Sequence, residues 1–344
     1  MSQSSNKQVT LKQVAEAVGV SVSTASRALS GKAEEYRISR TTEQSVQAAA
    51  KRLKFSPSLL AKSLRSQRTK LLGVVLPNVA NPFFAAIARE ITLAAEENEF
   101  SVLLADSQEN SEAEVHLVEQ LQTRQIEGLV VCPVGIEQEH LTRISEQNLP
   151  LVLVDRGFVH KDLVTVTSDH RQGASEAIKL LISQGHREIG VLQGLPDTLP
   201  NNERLIGYRE ELNRCGIPID PKLIEGNHFD EASGYHAALK LLSEHPEITA
   251  LFAFSNLNAL GALRAASELG RKIPDDLSLI AFDDHPFAAY LAAPLTSVCQ
   301  DVSQLGRVAA RLLIKQIKTE KQPVKKQHRI PVQLINRSSI AKII

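Results

Sequence analysis

Residues 10–32 read TLKQVAEAVGVSVSTASRALSGK, and this stretch decides how the rest of the chain is understood. Thr10 suits an N-cap, with Gln13 three residues later as its capping-box partner. Leu11, Val14, Ala15 and Val18 then share one face at helical spacing. Gly19 breaks this helix, because the turn needs a residue that tolerates an unusual backbone angle. A second short helix is expected from near Ser21, burying Ala25, Ala28 and Leu29. Helix, glycine turn, helix is the arrangement whose second helix projects its N-terminal side chains into the major groove of DNA. Here those are Val22 and Ser23, with Arg27 one turn further on. Arg27 can make two hydrogen bonds to guanine, worth about 1–3 kcal/mol of discrimination, and Val22 can pack on a thymine methyl. Thr24, Ser26 and the caps Thr10 and Ser21 suit phosphate contacts, which position the head without reading sequence. On pattern alone, a small helical bundle with a solvated Arg27 is the alternative.

Charge decides between the two. The chain has 344 residues with 39 Lys/Arg and 39 Asp/Glu, so its net charge is zero. Residues 1–70 hold 13 basic and 4 acidic residues, leaving 26 and 35 for the remainder, or +9 against −9. A basic head on an acidic body points to nucleic acid.

Working outward, a loop from Ser30 to Ile38 leads to a third helix carrying Val46, Ala49, Ala50 and Leu53. The head therefore spans residues 1–54. Residues 55–70 are expected to form a linker in which Pro57 opens a short helix with Leu60, Ala61 and Leu64. Such a helix is too short to be stable alone, since isolated helices need roughly 12–15 residues.

From Leu71 onward, short apolar runs such as LLGVVLP, SVLLADS, GLVVCP and PLVLVDR alternate with amphipathic helices. This order gives a parallel sheet covered on both sides. The pattern restarts after LVTVTSD and runs through EIGVLQG, ALFAFS and LSLIAFD. The fold class is thus an α-helical head plus an α/β body of two doubly wound lobes. Expected bounds are residues 71–166 with 300–325, and 167–299 with 326–344. Ligands in such sheets sit beyond the carboxyl ends of the strands, so two facing lobes make one cleft.

Taken together, VTLKQVAEAVGVSVSTASRALSGK resembles the headpiece of the lactose-repressor (LacI/GalR) family. SPSLLAKSLR resembles that family's hinge helix, NPFFAAI its first effector-cleft segment and LIAFDD a strand end in its second lobe. The loop SGKAEEYRIS resembles the heads of the fructose-repressor subgroup. The resemblance implies a homodimeric transcription regulator, mostly of the repressing kind, on a pseudo-palindromic operator, with a sugar or sugar derivative as effector. It assigns Leu64 to the minor-groove wedge, Arg65 to a phosphate and the small Ala61 to close hinge packing. It implies that effector contacts come from Asn81, Phe83, Phe84, Asp155 and Arg156 in the first lobe. Arg204, Phe229, Asn256 and Asp283 would serve in the second, and Gln300 at a crossover. The chain departs from the family at Ala25 and Ala28, which stand where valine is usual, and at Leu257, where Asp usually follows the Asn.

Other classes fit less well. A sugar-binding protein without a regulatory role matches the body but not the basic head. Its polar start, MSQSSNKQ, lacks an apolar signal core, so a cytoplasmic protein is expected. No run approaches the ~20 apolar residues that cross a bilayer. Catalysis is not expected: Ser168, Asp169 and His170 are adjacent and cannot build a triad alone. Gly-x-Ser-x-Gly and His-Glu-x-x-His are absent. No cofactor is expected. Cys132, Cys215 and Cys299 are read as reduced, mostly buried thiols, and no spacing suggests a metal.

Overall fold

The computed structural model describes residues 9–55, 68–158, 163–321, 323 and 326–343. It divides into two compact units, Met1–Thr69 and Lys70–Ile344.

In the first unit, α1 (Leu11–Val18), α2 (Val22–Leu29) and α3 (Arg40–Arg52) pack around a core of Val14, Ala15, Ala25, Ala28, Val46, Ala49 and Ala50. The capping box forms: Thr10 N donates to Gln13 Oε1 at 2.8 Å, and Thr10 Oγ1 accepts from Gln13 N. Gly19 ends α1 with φ 74°, a left-handed conformation that a side chain would strain. Ser21 caps α2, its Oγ accepting from Thr24 N at 3.0 Å. Most of this core is alanine, so the helices approach closely and each valine matters; full burial of one contributes about 1.5–3 kcal/mol. The hinge residues Ala61, Leu64 and Arg65 lie outside the described residues.

The second unit holds two six-stranded sheets. Strands β1 (Leu71–Leu76), β2 (Ser101–Asp106), β3 (Gly128–Val131), β4 (Leu151–Val154) and β5 (Thr165–Ser168) belong to the first. Strands β6 (Ile189–Leu192), β7 (Ile224–Glu225), β8 (Ala250–Ala253), β9 (Ser278–Phe282) and β10 (Thr296–Gln300) belong to the second. β11 (Gln327–Ile330) then completes the first sheet and β12 (Val332–Ile335) the second. The orders are β11-β5-β4-β3-β1-β2 and β12-β10-β9-β8-β6-β7, so one lobe repeats the other position by position. β3, β4 and β8 are buried along their whole length, as expected of strands with helices on both faces.

The expected lobe bounds need correction: Thr167 and Ser168 finish β5 of the first sheet, Gln300 finishes β10 of the second, and the largest shift is at residues 326–330. Residues 326–330 do not belong to the second lobe: β11 pairs in parallel with β5, from Gln327 opposite Thr165 to Ile330 opposite Ser168. Only Pro331 separates β11 from β12, and β12 pairs antiparallel with β10 in the other sheet. Proline has no N–H to continue a ladder, so the chain changes sheets there. In sequence, only Pro331 marks where QHRI ends and VQLI begins.

Candidate functional site

On the head, Val22, Ser23 and Arg27 are exposed along α2, and Thr24 and Ser26 are half-buried. Val22 is an apolar side chain with 45% of its surface open and no part in the core. Ser21 Oγ lies 2.8 Å from both Ser23 Oγ and Thr24 Oγ1, a hydroxyl cluster at the positive end of the helix. The Arg27 guanidinium lies over the Tyr36 ring, 3.9 Å from its centroid.

Within the body, a cavity of about 100 Å³ opens where strand ends of the two sheets face each other. Nine of the ten expected effector residues line it: Asn81, Phe83, Phe84, Asp155, Arg156, Arg204, Phe229, Asp283 and Gln300. The tenth, Asn256, instead donates from Nδ2 to Asn81 Oδ1 at 3.3 Å, a hydrogen bond between the lobes.

Local structure explains these placements. Asn81 caps the helix Pro82–Glu96, with Oδ1 accepting from Phe83 N. Asp155 directly follows β4, and Asp283 directly follows β9, its counterpart in the repeat. Both adopt left-handed backbone, φ 62° and φ 73°, and both donate N–H to the neighbouring strand, at Val166 and Val298. Left-handed geometry is uncommon for a side chain but tolerated best by Asp and Asn. Phe229 sits where a Cβ on Gly194 would lie 2.0 Å from its ring, so this wall of the cavity requires glycine.

Arg204 is the hub. It donates to Phe254 O, lies 3.2 Å from His170 Nδ1 and 3.9 Å from Asp283 Oδ1, and stacks 3.8 Å from the Phe282 centroid. Burial makes its guanidinium less basic than usual, although Asp283 and Asp155 oppose that effect. Burial likewise raises Asp283, offset in part by Arg204 and by the hydrogen bond from Gln300. Asp155 is pushed up to about 7, chiefly by burial, with Arg204 and Arg156 too weak to restore it. His170, beneath Arg204, is held well below the usual range by burial and that cation.

Arg156 pairs not with Asp155 but with Glu109, through two hydrogen bonds of 2.8 and 3.0 Å. Burial opposes its charge, yet Glu109 outweighs this and the group is more basic than usual. Asp284 does not cap a helix; it binds Arg337 through both oxygens and accepts from Ser297.

Three buried polar atoms of this cavity have no protein partner among the described residues: Asp155 Oδ1, Arg204 Nε and Gln300 Oε1. Two are acceptors and one is a donor. An unsatisfied buried group costs about 1–3 kcal/mol. Groups of this kind gathered in one cavity suit a partner that both donates and accepts, as water and hydroxyls do.

Sequence reasoning missed Glu109, Asn78 and Asp230, which also line the cavity, and His170 as the support of Arg204. Glu109 sits in a turn with φ 53° and has no periodic neighbours to mark it. Cys215 is exposed rather than buried.

A DNA-reading head joined to a two-lobed small-molecule-binding body defines the class of ligand-responsive transcription regulators. Residues 10–58 match the family described as bacterial regulatory proteins, lacI family. Residues 69–338 match periplasmic binding proteins and sugar binding domain of LacI family. The chain belongs to the LacI family of DNA-binding transcription regulators. It is 31% identical to catabolite control protein A of Priestia megaterium, over 91% of this chain and 93% of that one. It is 33% identical to the ribose operon repressor of Halalkalibacterium halodurans, over 96% of each. Among solved structures, the lac repressor dimer bound to operator and the anti-inducer ONPF superposes with TM-score 0.86 at 27% identity, covering 97% of this chain and all of that one. A CelR–cellobiose complex gives 0.74 at 30%, covering 96% and all. Among the described residues, no helix is long and apolar enough to cross a membrane.

Proposed function

We propose that this protein is a cytoplasmic homodimeric repressor whose hold on operator DNA is set by a sugar-like effector in the cleft between its lobes. The observation that carries the effector reading is the trio of unpartnered atoms on Asp155, Arg204 and Gln300. Asp155 accepts from ligand hydroxyls, Arg204 and Gln300 fix their direction, and Phe84 and Phe229 flank the ring. Asn81 and Asn256 join the lobes beside it. Charge selects the ligand further. Four carboxylates (Glu109, Asp155, Asp230 and Asp283) line the cavity against two guanidiniums, which disfavours phosphate and carboxylate groups. Relatives named for the ribose operon and a structure with cellobiose agree with an uncharged sugar.

On DNA, Val22, Ser23 and Arg27 read base edges, while Thr10, Ser21, Thr24 and Ser26 meet phosphate. Leu64, flanked by Ala61 and Arg65, acts as the minor-groove wedge. Two-fold pairing of the heads matches a palindromic site. The effector acts through its different affinity for the gripping and releasing states and can shift them by no more than that difference.

Calorimetry with pentoses, hexoses, disaccharides and their phosphates tests the effector reading. A neutral sugar is expected to bind the wild type and not Arg204→Ala. Equal binding to both, or binding of phosphates alone, contradicts it.

A further inference from the structure

We propose that Tyr36, in the loop after the reading helix, is a specificity-determining residue that positions Arg27 for base recognition. This rests on the reading of Arg27 as a base contact. Arg27 is exposed near the end of α2, and among the described residues it makes no ion pair with a carboxylate. Its one described side-chain partner is the Tyr36 ring, at 3.9 Å. The kind of partner matters. A carboxylate would occupy the N–H edges that guanine needs. An aromatic face holds the guanidinium plane and leaves all five donors at its edges free. Stacking thereby removes rotamer freedom from a long side chain before DNA arrives, and preorganisation of this sort strengthens binding without adding a contact.

The loop is built to hold that ring in place. Lys32 N donates to Arg27 O at 3.1 Å, which ties the loop to the residue it serves. Tyr36 N donates to Lys32 O and Ile38 N to Ala33 O, at 3.2 and 2.8 Å, closing a compact turn over the buried Ala33. Arg37 takes φ 53° to bring the chain out of it. Glu34 and Glu35 are balanced within the loop by Lys32, whose Nζ lies 3.8 Å from Glu35 Oε2, and by Arg37, so the loop carries no net charge and offers the phosphates no cationic clamp of its own.

The test uses full-length protein, a duplex that the wild type selects from a randomised library, and a scrambled duplex of equal composition. Tyr36→Phe keeps the face and is expected to bind both duplexes as the wild type does. Tyr36→Leu keeps bulk without a face, and Tyr36→Ala removes both. Each is expected to weaken the selected duplex about two- to fivefold, the size of an exposed cation–π contact, and to leave the scrambled one unchanged. In an Arg27→Ala background neither should change anything further. Equal losses on both duplexes, unchanged losses in that background, or a Phe variant as weak as Leu would overturn the proposal. So would Tyr36 variants without effect where Arg27→Ala alone is costly. Should Arg27→Ala itself leave the selected duplex unaffected, the base-contact reading falls, and this inference with it.

Discussion

Asp155 and Asp283 occupy the same position in two copies of one architecture, yet their surroundings differ. Each follows the equivalent strand, turns with positive φ and looks into the cavity. Asp283 receives a hydrogen bond from Gln300 and lies 3.9 Å from Arg204. Asp155 has one oxygen that no described residue reaches, and its carboxyl is pushed up to about 7. The fold thus supplies two like-placed carboxylates; one belongs to the protein's own network, and the other has an oxygen open to the ligand proposed above. The difference arises because the Arg204 guanidinium lies nearer Asp283, while Arg156, next to Asp155 in sequence, is taken by Glu109.

The largest effect is expected from removing the hub that both aspartates share. Arg204→Ala leaves two buried carboxylates without their cation, a break of the kind that costs about 3–5 kcal/mol. Effector affinity, measured by calorimetry, should fall at least about a hundredfold. Circular dichroism would show the fold retained.

The comparison itself is tested by matched substitutions. Asp283→Asn should lower the unfolding free energy of the ligand-free body by about 1.5–3 kcal/mol, because a charge-assisted network is lost. Asp155→Asn should leave that free energy equal or higher near pH 8, since it removes a buried charge whose desolvation Arg204 and Arg156 do not offset, yet weaken effector binding about tenfold or more. Denaturant curves on both variants check the pair; equal destabilisation would erase the distinction.

A smaller effect comes from pH. Asp155 titrates near 3.8 in the unfolded chain and at about 7 in the folded one. Between those values the native state binds more protons, so this group's contribution to stability is full at low pH and lost as pH rises to about 7. Effector hydroxyls that donate to the carboxylate favour its ionised form. Affinity should therefore drop as pH falls below about 7, by at most about tenfold per unit. In Asp155→Asn this dependence should vanish. The smallest effect is expected from Glu109→Gln, which weakens the pairing of Arg156 at the half-open rim and should cost about two- to fivefold in effector affinity.

Much of this was legible in the sequence where the causes are local. The Thr10–Gln13 cap, the Gly19 turn and the buried alanines of α2 each depend on neighbours within a few residues. The two-lobed body follows from alternating runs and helices. Nine cavity residues were reached only because motifs such as NPFFAAI and LIAFDD match a family; their spacing alone says nothing about convergence. Glu109 and His170 were hidden because their partners, Arg156 and Arg204, lie tens of residues away in the chain. The crossover at Pro331 was hidden for another reason: two short strands with similar alternation join different sheets.

The central claim is that occupancy of the cleft sets the grip of the heads. It is tested most directly by measuring affinity for the selected duplex with and without the sugar that calorimetry identifies, in wild type and in Arg204→Ala. The account predicts a sugar-dependent change in the wild type and none in the variant, with the two proteins binding the duplex equally when sugar is absent. A wild type that holds DNA equally with the sugar bound, or a variant that still responds, would contradict it.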